Sequence, residues 1–245
     1  SAMASQADEA LIDAVKEKDS KEVEGLLKAK ADPNAEDEDQ GMTALAWAAA
    51  FDDVATCKLL LAAKADPDAK GANDSTPLTS AAATGACEST KALLDAKATV
   101  DKTGTMLGTP IMWAAAENQT EVIRELIKAK ASINVRKGEK ITPLMWAAEV
   151  NSLEAAKLLI ELKANVNIQD AHGRTATMIA SWNNSKEVAK ILVSASADLK
   201  KEDKDKKDAI TLARMRRNYT MMNILNDGLW ASLEKDVNAI NNLNL

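Results

Sequence analysis

Almost nothing in this chain is equipped for chemistry. Its 245 residues include one histidine, two cysteines, one tyrosine and one phenylalanine. A lone histidine, His172, supports neither a histidine–cysteine zinc cluster nor a Ser/His/Asp set of plausible geometry. The stretch from Gly104 to Gly108 lacks the spacing and the following lysine of a phosphate-binding loop. Cys57 and Cys87 are too few for a disulfide framework, so both are expected to be reduced, in a cytoplasmic or nuclear setting. No apolar run reaches the roughly 18 residues of a membrane span. Basic charge is not in excess: the formal net charge is -6 and the pI about 5.1, which speaks against general binding to phosphate backbones. Glycine and proline are scarce, at 9 and 5 residues, and alanine is abundant, which favours helix. These shortages predict no catalytic residues, no metal or other cofactor, and neither nucleic acid nor membrane as partner.

What the chain does have is a period. Thr43, Thr76, Thr109, Thr142 and Thr175 fall 33 residues apart, and Asp208 continues the series. A fixed period of this length marks a solenoid, in which stacked units share one core and present a long surface. Thr76-Pro77, Thr109-Pro110 and Thr142-Pro143 open a first helix, with threonine as N-cap and proline at the first helical position. A face of small residues follows: Ala48-Ala49, Ala81-Ala82, Ala114-Ala115 and Ala147-Ala148. Asp52, Gly85, Asn118, Asn151 and Asn184 then mark a turn with a left-handed backbone. Asp53, Ser152 and Ser185 are placed to cap a second helix, which carries Leu60-Leu61, Leu93-Leu94, Leu126-Ile127, Leu158-Leu159 and Ile191-Leu192.

The pattern Thr-Pro-Leu-x-x-Ala-Ala, a polar turn, Glu-Val-x-x-x-Leu-Leu/Ile, then Ala-Asp-x-Asn resembles the ankyrin repeat. Thr109 to Asn134, TPIMWAAAENQTEVIRELIKAKASIN, is the clearest copy, and Asp170 to Thr175, DAHGRT, looks like the family's hairpin turn. The resemblance implies an all-α solenoid of stacked helix-turn-helix units joined by β-hairpin-like loops. Residues 1–7 are read as a tag remnant and tail. Residues 8–227 hold seven repeats starting near 9, 43, 76, 109, 142, 175 and 208, and 228–245 form a capping helix or a truncated further repeat. In the first repeat Leu11, Ala14, Val15, Val23, Leu26 and Leu27 take the core positions. Two departures from the family stand out. Lys30, Lys64, Lys97, Lys130 and Lys163, with Ser196, replace the glycine usual at the end of the second helix. Ala46, Thr79, Met112, Met145, Met178 and Thr211 replace a histidine, and with it a hydrogen bond.

Such a fold implies a non-enzymatic module, monomeric by itself, that binds a protein or peptide in a concave groove. The alternative is a regulatory or adaptor domain excised from a larger multidomain protein, catalytic or not. Carried onto this chain, the groove comprises Met42, Phe51, Thr84, Glu117, Ile141, Glu149, Val150, Arg174, Trp182, Asn183, Met215 and Arg216. Phe51 and Trp182 are expected exposed at its centre. Trp47, Trp113 and Trp146 share one repeat position and are expected chiefly in the core, with part of each ring bordering the groove. His172 is read as an exposed hairpin tip. The acidic run Glu36-Asp37-Glu38-Asp39 and the basic residues from Lys200 to Arg217 are read as solvated surface.

Overall fold

The computed structural model describes residues 6–72, 74–104 and 108–229. These form seven helix pairs. The first four are α1 (Gln6–Lys16) with α2 (Ser20–Lys28), α3 (Ala44–Ala50) with α4 (Val54–Ala62), α5 (Pro77–Thr84) with α6 (Cys87–Asp95), and α7 (Pro110–Ala116) with α8 (Thr120–Lys128). The others are α9 (Pro143–Val150) with α10 (Leu153–Glu161), α11 (Ala176–Asn183) with α12 (Lys186–Ser194), and α13 (Ala209–Met215) with α14 (219–229). The chain divides into two compact units, Ser1–Gly138 and Glu139–Leu245. In the first, α1, α3, α5 and α7 pack side by side, as do α2, α4, α6 and α8. In the second, α9, α11 and α13 form one row, and α10 packs on α12. The expected terminal cap, 228–245, lies outside the described residues but for its first two positions.

The first helices stack closely because their facing side chains are small. Ala48, Ala49, Ala81, Ala82, Ala114, Ala115, Ala147 and Ala148 are all 0% exposed. The second helices contribute one fully buried leucine per period: Leu60, Leu93, Leu126, Leu159, Leu192 and Leu225. In the first repeat Leu11, Ala14, Val15 and Val23 are buried as expected, whereas Leu26 and Leu27 are only half-buried. A terminal repeat has a neighbour on one side alone.

The turns explain the period. Asp52, Gly85, Asn118, Asn151 and Asn184 all have positive φ, joined by Lys18 and Arg217 at the equivalent places. The lysines that replace glycine are left-handed too: Lys30, Lys64, Lys97, Lys130 and Lys163 have φ of 71, 74, 69, 68 and 70°. Each sits in a Schellman motif. The next residue, Ala31, Ala65, Ala98, Ala131 or Ala164, donates its N–H back to a second-helix leucine carbonyl and buries its methyl group. That double anchoring offsets the roughly 1 kcal/mol that a left-handed non-glycine residue costs.

The connecting loops are tight turns rather than strands; β pairing among the described residues is confined to isolated bridge positions, such as Glu36 with Thr43. Gly71 N–H donates to Ser75 O, Asp170 N–H to Arg174 O and Asp203 N–H to Lys207 O, so each loop closes on itself. Neighbouring repeats are tied by side chain to backbone. Asn34 accepts from Asp66 N–H at 2.8 Å, Asp68 from Thr99 N–H at 2.8 Å, and Asn167 from Asp198 N–H at 2.8 Å. The turn residues do the same for helix caps. Asp52 accepts from Ser89 N–H in the first turn of α6, at 2.7 Å, and Asn151 from Val188 N–H in α12, at 3.4 Å.

This changes the expected capping. Asp53 caps α4 with its own side chain, but Ser152 and Ser185 occupy the N-cap positions of α10 and α12 without a side-chain cap bond. For α12 the acceptor comes from the preceding repeat instead. Thr43, Thr76, Thr142, Thr175 and Asp208 cap their first helices; Thr109 does not, and its buried hydroxyl has no partner among the described residues. The hydrogen bond expected to be lost with histidine survives in two repeats, in one of them as Met178 Sδ accepting from Thr175 N–H at 3.5 Å. Thr79 Oγ1 accepts from Thr76 N–H at 2.8 Å, closing a reciprocal capping box.

Two outcomes follow in urea unfolding. Thr76→Val costs about 1–2 kcal/mol because it removes a working cap, while Thr109→Val changes stability by about 0.5 kcal/mol or less. Lys97→Gly, which relieves a left-handed side chain, stabilises by about 1 kcal/mol; a loss of stability there would contradict the strain assigned to it.

Candidate interaction surface

Asn151, Asn184 and Arg217 turn left-handed and so end α9, α11 and α13 at one level in their repeats. The residues just before the turns therefore come off the helices together. In the second unit they surround a groove of about 220 Å³. Six predicted residues line it: Ile141, Glu149, Arg174, Trp182, Asn183 and Met215. Its floor, which the sequence did not single out, is Met178, Ile179 and Leu212, and one rim is the hairpin of Asp203, Asp205 and Lys207. Val150 and Arg216, also predicted, are exposed but not part of this lining. Trp182 is 39% exposed, Met215 51% and Val150 57%. The Arg216 guanidinium lies 4.7 Å from the Trp182 ring centre, a cation–π contact.

The hairpins are held by carboxylates. Asp170 is buried, accepts the N–H of His172 and of Arg174 at 2.8 Å each, and pairs with the Arg174 guanidinium at 2.7 Å. Asp203, one period later, accepts the N–H of Asp205 and of Lys207 at 2.9 Å each. Both were legible in principle, since each precedes its helix-capping residue, Thr175 or Asp208, by five positions. His172 is exposed at the tip, as expected.

In the first unit, Met42 is half-buried and Thr84 and Glu117 are exposed. Phe51 is half-buried rather than exposed. Its ring lies 5.3 Å from that of Trp47, Lys18 Nζ stands 5.2 Å over it, and Lys18 donates to the Phe51 carbonyl at 3.3 Å. A ring already in contact with Trp47 and Lys18 of its own chain has less surface left for a partner. Trp47, Trp113 and Trp146 are likewise half-buried, so they belong neither wholly to the core nor wholly to the surface.

The acidic run near the start needs correcting in one residue. Glu36, Glu38 and Asp39 are exposed, but Asp37 is 5% exposed. It accepts from Asp39 and Gln40 N–H and from Trp47 Nε1, and pairs with Lys16 at 2.7 Å. Burial alone would raise its pKa, but the bonds from Lys16 and the two backbone amides, with the Lys16 charge, outweigh burial and hold it below the ordinary value. Cys57 is buried in its helix, and burial pushes its thiol up to about 11, so it packs as a neutral side chain.

The sequence matches the family model described as ankyrin repeats (3 copies) over residues 11–105 and again over 111–205. Each match spans about three of the 33-residue periods. No curated protein sequence matches the chain. Among the described residues no helix is long and apolar enough to cross a membrane.

Asp37 gives a pH test. Its folded pKa is depressed, so its contribution is complete above the unfolded carboxylate value of about 3.9 and is lost as pH falls through the lower folded value. Asp37→Asn should cost about 1–3 kcal/mol at neutral pH. The gap between wild type and variant should narrow below about pH 4 in unfolding titrations; a pH-independent gap would mean that the charge is not what matters.

Proposed function

The chain belongs to the ankyrin-repeat family, and from that premise we propose that it is a non-enzymatic module whose partner, a protein or peptide, docks on the ends of its first helices. Ankyrin repeats generally serve protein–protein interaction, which makes the class of function a family property. The location rests on one observation. Among the described residues the exposed large hydrophobic side chains are Val150, Trp182, Met215 and Tyr219. The first three occupy corresponding positions, seven or eight residues after Thr142, Thr175 and Asp208, in consecutive repeats. Folding gains little from leaving such side chains in water, and a contiguous set of them is the usual mark of an interaction site.

In this reading Trp182 and Met215 are the anchors and Val150 widens the apolar area. Ile141, Glu149, Arg174, Asn183 and Arg216 form the polar and mixed rim that keeps water from the centre. Met42, Phe51, Thr84 and Glu117 hold the equivalent repeat positions in the first unit. The chain is monomeric by itself and takes its partner as a separate molecule.

Affinity capture from the native source, with the partner identified and titrated, tests this. Trp182→Ala should weaken binding about 30-fold or more, the loss expected of a central tryptophan anchor. Phe51→Ala, at a half-buried side chain covered by Lys18, should weaken it less. Undiminished binding by a Trp182→Ala, Met215→Ala double variant would refute the location.

A further inference from the structure

We infer that the groove at the ends of α9, α11 and α13 accepts a partner segment presenting one large apolar side chain with a lysine or arginine beside it. This rests on the reading of the same face as the partner-binding one. Size decides the first half. At about 220 Å³ the groove falls below the roughly 300–1,000 Å³ of small-molecule sites, and Met178, Ile179 and Leu212 make its floor apolar. A cavity of that size and lining suits a single side chain, and methionines let it adjust to shape.

Charge decides the second half. The two cations in the lining are already engaged: Arg174 with Asp170 at 2.7 Å, and Lys207 with Asp205 at 3.2 Å. Two carboxylates are not. Glu149 is exposed and has no ion pair among the described residues. Asp203 gives its Oδ1 to two backbone N–H groups and meets no cation among the described residues. An acidic partner would add like charge to these; a basic one completes them. Arg216 lies outside the lining, held over the Trp182 ring.

Selection of random short peptides displayed on phage, against the whole chain, provides the test. The enriched peptides should pair Leu, Ile, Met or Phe with a neighbouring Lys or Arg. As synthetic peptides they should bind Trp182→Ala about 30-fold or more weakly. Glu149→Gln and Asp203→Asn, both compatible with the hairpin bonds, should each weaken binding about threefold at low salt, and the difference should vanish at high salt. Peptides that need Trp182 but carry Asp or Glu, or are indifferent to both carboxylate substitutions, would overturn the inference and leave the interaction face standing. If no peptide depending on Trp182 emerges, both the inference and that face are refuted.

Discussion

Within each unit, repeats borrow from their neighbours. First helices of seven or eight residues, such as α3 and α5, are too short to persist alone in water. They persist because alanine faces let them lie close, and because within each unit side chains of one repeat reach into the next. Asn34, Asp68 and Asn167 bind backbone N–H groups about one period ahead, and Asp52 and Asn151 supply cap acceptors to helices of the following repeat. Stability is thus a nearest-neighbour property, as expected of a solenoid. The same turns that make these bonds also end the first helices at matching heights, which is what lines up the surface residues of successive repeats.

Much of this was legible from spacing. The threonine period located the first helices, and Asp, Gly and Asn at fixed places after them located the left-handed turns. Even the unusual lysines declared themselves, because five of them held a place that requires left-handed backbone. What remained hidden depended on partners distant in sequence. Asp37 reads as one more charge in an acidic run until Lys16 and Trp47 are seen closing over it. Thr109 has the same local sequence as its capping equivalents, yet its hydroxyl makes no cap. Ser152 and Ser185 look like caps, but the acceptor for α12 comes from Asn151, in the preceding repeat.

The candidate surface was legible to a similar degree. Register identified which helix positions face outward, and six of the positions so identified do line one groove. Register could not say how exposed each would be. Phe51 is drawn in by Trp47 and Lys18, whereas Trp182, with Arg216 over its ring, stays 39% exposed. Nor could it supply the floor, since Met178, Ile179 and Leu212 occupy positions that in other repeats are plain core. The functional information therefore sits where the repeats differ, on a framework fixed by where they agree.

Side chains divide into those that hold the solenoid together and those left for a partner, and equilibrium unfolding separates the two most directly. Leu192→Ala, at a fully buried framework position, should cost about 2–5 kcal/mol. Trp182→Ala should cost about 1 kcal/mol or less, despite removing a far larger side chain. A loss at Trp182 as large as that at Leu192 would show that the tryptophan serves the fold, and would contradict the division.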